Sequence, residues 1–279
     1  MNLGRIPVVA VIGRKNSGKT LVIEALTSSF VSRGIKVACA KHVNEKGFSM
    51  DAEGKDTWRY TVAGAQLAAA ASDVEVAVRI RKPLDSSVIE ALRRYSAEEG
   101  ASVLLLEGFS SFVIGDVKIG KIICVKGKED YIEFKEKAKG EIIAFCSLYD
   151  VDVNVMNLKK DLAAILQKTH WFVEKMTKVY QCLDILPRLD CGKCGRTSCE
   201  DLAVDIIEGR ATAEECIHLR LRPALKVKIK VNGEDVPLQP FVSEFVRRTV
   251  LGMLSALKGI TVRGDEDVII EILKRQPRG

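Results

Sequence analysis

Short apolar runs recur through the first half of the chain, each followed by a stretch with helical spacing. Ile6–Ile12 is almost wholly apolar and reads as a buried strand. Lys19–Arg33 spaces its apolar residues as a helix does, and Arg33-Gly34 stops it before a second strand at Ile35–Ala40. Asp56–Ala63 reads as a helix, and Ser86–Glu98 as another that ends at Gly100. Between them, Gln66–Ala71 and Val74–Ile80 read as strands close enough to form a local antiparallel pair. Three further buried strands follow, at Ser102–Leu106, Ile119–Lys126 and Glu141–Ser147. Strands alternating with helices predict an α/β fold: a mainly parallel sheet with helices on both faces.

Beyond that sheet the pattern changes. Leu158 to about Leu183 is helical, with Asn157 as its expected N-cap and Pro187 as its stop. Lys226–Val231 alternates charge with apolar residues, as an exposed edge strand does, and Asn232-Gly233 predicts a hairpin turn after it. Phe241–Lys258 follows as an amphipathic helix and Val268–Leu273 as a closing strand. The expected organisation is a nucleotide-binding domain over 1–185, a small cysteine-rich module over 186–222 and a small α/β domain over 223–279.

Composition narrows the class. With 47% apolar and 29% charged residues, the chain has the balance of a globular protein with a real core. No apolar run reaches the ~20 residues of a membrane-spanning helix, so no membrane association is expected. Met1–Arg5 lacks the apolar region of a secretory signal, so the expected location is the cytoplasm. The net charge of +6 comes from interspersed charges without an aromatic-rich basic stripe, which argues against a nucleic-acid partner.

The strongest chemical signal is Gly13-Arg14-Lys15-Asn16-Ser17-Gly18-Lys19-Thr20, a complete G-x4-G-K-[ST] loop between an apolar strand and a helix. In that setting backbone N–H groups cradle phosphate oxygens at a helix N-terminus. Lys19 is expected to reach the β- and γ-phosphates, and the Thr20 hydroxyl to ligate Mg²⁺. Leu104-Leu105-Leu106-Glu107-Gly108 ends a buried strand on an acid, which suits Glu107 to Mg²⁺ or its water shell. A carboxylate there is costly unless it is solvated or paired with a cation. The motif alone does not separate GTP from ATP, and no N-K-x-D box is present. Phe145-Cys146-Ser147, at a strand end, is the candidate base loop. Of the three histidines, His42 follows a buried strand, and a water-positioning role competes there with a structural one.

Taken together, the phosphate loop, Lys41-His42, Asp51-Ala52-Glu53-Gly54-Lys55-Asp56-Thr57-Trp58-Arg59, Ala63-Gly64-Ala65 and Leu105-Leu106-Glu107-Gly108-Phe109 resemble the molybdopterin-guanine dinucleotide biosynthesis protein B (MobB) family, from roughly Ile6 to Leu166. The resemblance implies a P-loop GTP-binding protein that assists the nucleotidyltransferase attaching GMP to molybdopterin. It also implies a homodimer. It places Asp51 near Mg²⁺ and the γ-phosphate, and Lys41, Lys55, Asp56 and Arg59 around the phosphates or the partner surface. Asp51 and Glu107 are then the residues expected to serve hydrolysis. The chain departs from the family at Ser110, where lysine is common, and over Ser111–Gly120.

Four cysteines, Cys191, Cys194, Cys199 and Cys216, follow the spacing C-x2-C-x4-C-x16-C. Four thiolates suit a 4Fe–4S cluster or tetrahedral zinc, and a thiol redox role is the third reading. Gly192 and Gly195 allow close backbone wrapping, and Ser198 is expected to cap a helix over Cys199–Glu208. The pattern resembles the 4Fe–4S domain of corrinoid iron–sulfur proteins and electron-transport subunits, over roughly Leu186–Leu219. Cys39, Cys124, Cys146 and Cys182 stand apart from it.

Two readings follow. In the first, the chain is a cytoplasmic GTP-binding accessory protein of molybdenum or tungsten cofactor maturation. It binds GTP, Mg²⁺ and a 4Fe–4S cluster, acts with a molybdopterin nucleotidyltransferase or another assembly protein, and hydrolyses GTP weakly at most. In the second, it is a redox-linked NTPase that couples nucleotide hydrolysis to electron transfer or metallocentre maturation.

Overall fold

The computed structural model describes residues 5–45, 47–151, 154–220, 227, 229–231, 234–236, 240–257 and 268–270. The chain divides into two compact units. One holds Met1–Cys191 with Arg196–Ala211, and the other holds Gly192–Gly195 with Thr212–Gly279.

The first unit runs β1 (Val8–Gly13), α1 (Lys19–Val31), β2 (Val37–Lys41), α2 (Asp56–Val62), β3 (Leu67–Ala71), β4 (Val76–Ile80), α3 (Ser86–Glu98) and β5 (Val103–Glu107). It continues with α4 (Ser110–Val113), β6 (Gly120–Cys124), α5 (Lys128–Lys137), β7 (Ile142–Ser147), β8 (Met156–Asn157), α6 (Leu162–Ile185) and α7 (Cys199–Ile207). Six strands form one parallel sheet in the order β2-β5-β1-β6-β7-β8. The apolar runs read as buried strands are its centre: Val8–Ile12 and Val103–Leu106 are each at most 4% exposed.

Alternation along the strands sorts their side chains to two faces. Val8, Ala10 and Ile12 join Leu104, Leu106 and Ile123 in a core closed by Ile89 of α3, Val113 of α4 and Phe134 of α5. Val9, Val11, Leu105 and Ile122 point the other way and are also buried, on the face packed by α1 and α6. The antiparallel pair expected from the sequence is present as a separate sheet of β3 and β4.

Three details differ from the sequence reading. The long helix begins at Leu162 with Asp161 at its N-cap, not at Leu158. Asn157 instead sits in β8, and its side-chain oxygen accepts from the Lys159 N–H in a tight turn that delays the helix. β8 itself, only two residues long, is too short to register as a hydrophobic run. Finally, Lys121 lies fully buried inside β6. Its ammonium donates to the carbonyls of Asp116, Ile119 and Lys139 at 2.5, 2.7 and 2.8 Å, so all three of its donors are satisfied. That lysine staples the segment after α4, where the chain departs from the expected pattern, to the turn before β7.

The second unit carries a 3₁₀ turn over Ala213–Glu215, α8 (Ile217–Arg220), an antiparallel pair of β9 (Ile229–Val231) and β10 (Glu234–Val236), and α9 (Pro240–Ser255). The expected hairpin and amphipathic helix are thus present, while Asn232 and Gly233 lie outside the described residues. Val268–Ile270 is not a strand, and the rest of the expected closing strand lies outside the described residues. Among the described residues no helix is long and apolar enough to cross a membrane.

Candidate functional site

In a parallel sheet every strand delivers its C-terminal end to the same edge, and loops there share one crevice. β1 and β5 pair with Val11 opposite Glu107, and β2 and β5 pair with Lys41 opposite Glu107. The phosphate loop, Lys41 and Glu107 therefore meet at that edge.

The loop's glycines are dictated by space as well as by conformation. Gly13 has φ +144°, and a Cβ there would fall 2.1 Å from the Cys124 carbonyl oxygen of the neighbouring strand. Gly18 has φ +95°, and a Cβ there would strike Leu158 at 2.7 Å. α1 starts directly after Gly18 without a side-chain cap, which leaves its first-turn N–H groups to an anion. Ser17 donates to the Arg14 carbonyl at 2.9 Å and holds the loop closed on itself. The Lys19 ammonium donates to the same carbonyl at 2.6 Å. Burial pushes its pKa below the ordinary lysine value.

Thr20 Oγ1 donates to Glu107 Oε1 at 3.0 Å, and Lys41 Nζ lies 3.1 Å from the same oxygen. Lys41 supplies the cation that a carboxylate at the end of an apolar strand requires. Arg14 is turned away from the loop's interior. Its guanidinium bridges Asp130 and Glu133 of α5, each at 2.5 Å, and Asp130 also accepts from the Lys126 N–H at 3.0 Å. Lys15 and Asn16 are exposed at the loop's tip, with Asn16 left-handed at φ 59°.

The resemblance-derived residues of the segment 51–59 are not gathered there. Asp51 accepts from the Thr57 hydroxyl at 3.1 Å and pairs with Arg79 of β4 at 3.4 Å. Asp56 pairs with Arg59 on α2, one turn apart, and Lys55 occupies the N-cap of the same helix. His42 stacks on Phe109 with ring centroids 5.2 Å apart and meets Phe112 edge-on at 6.0 Å. Those aromatic contacts give His42 a structural place.

The residues of the expected base loop are buried or half-buried. Cys146 and Ser147 are fully buried, Phe145 packs edge-on against Tyr131, and Cys146 Sγ lies 3.5 Å from Cys124 Sγ. The hydrogen bond with Cys146, then burial, push the Cys124 pKa well up, so Cys124 behaves as a small apolar side chain rather than a nucleophile. The first exposed residues beyond β7 are Tyr149 and Asp150.

In the cysteine motif, Ser198 caps α7 as expected, and the cap is reciprocal. Its hydroxyl accepts from the Asp201 N–H at 3.1 Å, and the Asp201 carboxylate accepts from the Ser198 N–H at 2.9 Å. Cys199 is thereby fixed in the first turn of a helix, with its own N–H donated to Asp190 at 2.6 Å. Gly192 and Gly195 both adopt positive φ, at 69° and 81°. Cys199 and Cys216 are buried, Cys194 is half-buried and Cys191 is exposed. Among the described residues, no three potential metal ligands from His, Cys, Asp and Glu converge on one point. α7 packs on α6, with Lys175 of α6 paired to Glu208 at 2.5 Å, and Lys118, ahead of β6, pairs with Glu200 at 2.7 Å.

Two protein families match the chain. Residues 8–147, half of the chain, match the family described as "Molybdopterin guanine dinucleotide synthesis protein B". Residues 186–218 match a family described as "Putative Fe-S cluster". A Methanocaldococcus jannaschii protein named "Putative molybdopterin-guanine dinucleotide biosynthesis adapter protein" is 27% identical over 267 residues, covering 94% of this chain and 97% of its own length. A Haemophilus influenzae molybdopterin-guanine dinucleotide biosynthesis adapter protein is 31% identical over 105 residues, covering 38% of this chain and 58% of its own. The crystal structure of Bacillus subtilis MobB aligns at 23% identity and a TM-score of 0.46, covering 60% of this chain and 98% of that one.

Proposed function

The chain belongs to the molybdopterin guanine dinucleotide synthesis protein B family, and from that premise we propose that it is a GTP-binding adapter of molybdenum or tungsten cofactor maturation. It works in the cytoplasm beside the nucleotidyltransferase that joins GMP to molybdopterin, delivering or gating nucleotide. The observation that carries this reading is the hydrogen-bonded group of Thr20, Lys41 and Glu107 beside the phosphate loop. Lys19 and the N–H groups of Gly13–Gly18 would hold the phosphates, and Thr20 with Glu107 would hold Mg²⁺ directly or through water. Mg²⁺ would neutralise charge on the β- and γ-phosphates. Hydrolysis would be slow, because Glu107 is already ion-paired and Asp51 is bonded to Thr57 and Arg79. Asp51 would have to leave those partners to serve the γ-phosphate.

We also propose a homodimer built on the hairpin of β3 and β4. Its register aligns Leu67 with Ile80, Ala69 with Val78 and Ala71 with Val76 on one face. The four large residues of that face are 46–67% exposed, an apolar surface that a second copy would cover.

The cysteine module would bind a 4Fe–4S cluster through Cys191, Cys194, Cys199 and Cys216. Four thiols, two of them buried and one at a capped helix N-terminus, form a donor set of the right chemistry. Such a cluster would supply one-electron chemistry. This module sustains the second reading, a redox-linked NTPase. The full-length M. jannaschii relative is named an adapter although its alignment spans 94% of this chain, which favours the first reading.

Complementation of cells lacking the adapter separates the two. Lys19→Ala should abolish formation of the guanine dinucleotide cofactor, whereas cysteine-to-serine changes should leave it intact. Loss of activity in the cysteine variants at normal GTP binding would favour the redox reading instead.

A further inference from the structure

The nucleotide's base has to be read by groups that flank the phosphate loop, and two loops do so. Leu148, just after β7, and Leu158, just after β8, both lie against Gly18, where an added Cβ would meet them at 3.1 and 2.7 Å. The segments that follow these two leucines are therefore anchored to the start of α1. Among the described residues of these segments there are two carboxylates: Asp161, at the N-cap of α6, is occupied by the Asn157 N–H at 2.7 Å, and Asp150 stands at the surface. Asp150 is 77% exposed, and its Oδ1 accepts from the Asn157 amide at 2.8 Å and from the Lys160 ammonium at 3.2 Å. These two partners, Lys160 foremost, hold the carboxyl below the usual carboxylate range, so it is an acceptor only at neutral pH.

We propose that Asp150, oriented by Asn157 across the ends of β7 and β8, is the group that selects guanine over adenine. The inference rests on the nucleotide site proposed above. Guanine offers two parallel donors along one edge, the ring N1–H and the exocyclic amine at C2. A carboxylate accepts both. Adenine offers an unprotonated N1 on that edge, whose lone pair faces the carboxylate unfavourably. Two carboxylate oxygens carry about four lone-pair sites. Asn157 and Lys160 take two on Oδ1, and among the described residues the other contact is Lys160 to Oδ2 at 3.5 Å. Capacity for a bidentate base contact remains. Lys160 would stay beside the carboxylate as its counter-charge, while the Asn157 amide fixes its plane.

No linear motif joins these groups. Asp150 and Asn157 are seven residues apart and meet only because β7 and β8 lie side by side in parallel. Tyr149, 59% exposed next to Asp150, offers a ring at the same rim.

The test is calorimetric titration of the full chain with GTP, ATP and XTP in Mg²⁺, for the parent protein, Asp150→Asn and Lys19→Ala. Xanthine carries a carbonyl at C2 in place of the amine, so an asparagine amide can donate to it. The parent should prefer GTP to ATP and XTP. Asp150→Asn should lose GTP affinity by about tenfold to hundredfold, the scale of one lost charged hydrogen-bond pair, and should gain XTP affinity while ATP binding does not fall. A gain for XTP cannot come from misfolding, and an ATP affinity that does not fall controls for the phosphate site. An unaltered GTP-to-XTP ratio in Asp150→Asn, or a parent that binds ATP as well as GTP, overturns the role of Asp150 and leaves the phosphate loop standing. A parent that binds no nucleotide better than Lys19→Ala does would overturn the nucleotide site and this inference with it.

Discussion

Thr20 and Glu107, 87 residues apart in sequence, share a hydrogen bond of 3.0 Å that ties the start of α1 to the end of β5. The pair is pre-formed at the place where a divalent cation would bridge the protein and a triphosphate. Glu107→Gln keeps the shape and removes the charge. GTP affinity measured in Mg²⁺ should then fall by about tenfold to hundredfold, while affinity measured in EDTA should hardly change. Equal losses in both media would show that Glu107 acts on the loop and not through the metal.

Lys121 is predicted to matter for stability rather than for binding. Lys121→Met leaves three carbonyls without their donor, partly offset by relief of a buried charge. The net cost should be on the order of 2–4 kcal/mol, read as a lower urea midpoint with the slope unchanged. Nucleotide affinity at low temperature should be retained. A variant as stable as the parent would mean that water replaces the ammonium without loss.

These two sites differ in how far the sequence revealed them. The phosphate loop and Glu107 are legible because each rests on neighbours within a few positions: an apolar strand, fixed glycine spacing, a strand-end acid. Lys121 is not legible, because nothing in Gly120-Lys121-Ile122 announces that loops on either side will turn three carbonyls toward it. Arg14 is similar, since its partners Asp130 and Glu133 lie 116 and 119 residues away on a helix brought close by β6. Phe145-Cys146-Ser147 ends a strand whose limit at Ser147 is legible, but its burial beside β6 and β8 is not, because that depends on which strands become its neighbours. Asp150 gains its setting only when β8 forms beside β7, and a two-residue strand leaves no hydrophobic signature.

The cysteines divide into two classes with different expected behaviour. After anaerobic reconstitution, the parent should hold about four iron per chain with broad absorption near ~400 nm. Cys199→Ser and Cys216→Ser should lose that colour. Cys124→Ser and Cys146→Ser should keep it, because those thiols are buried 3.5 Å apart in the sheet. Stoichiometric zinc without iron would assign the four-cysteine motif to a structural metal instead.

The apolar face of β3 and β4 predicts the oligomeric state. Val78, 54% exposed opposite Ala69, lies in the middle of that face. Val78→Lys should shift the sedimentation profile from dimer to monomer without lowering GTP affinity. A parent that sediments as a monomer at tens of micromolar would remove the proposed role of the hairpin.

Guanine selection and the role of Glu107 both depend on whether the loop from Gly13 to Thr20 binds a nucleoside triphosphate. Isothermal titration of the full chain with GTP and Mg²⁺, repeated with Lys19→Ala, asks this directly. The parent should show saturable binding at one site per chain, and Lys19→Ala should weaken it by at least about tenfold, the loss expected for a charged contact to phosphate. Identical isotherms for the two proteins would contradict the account.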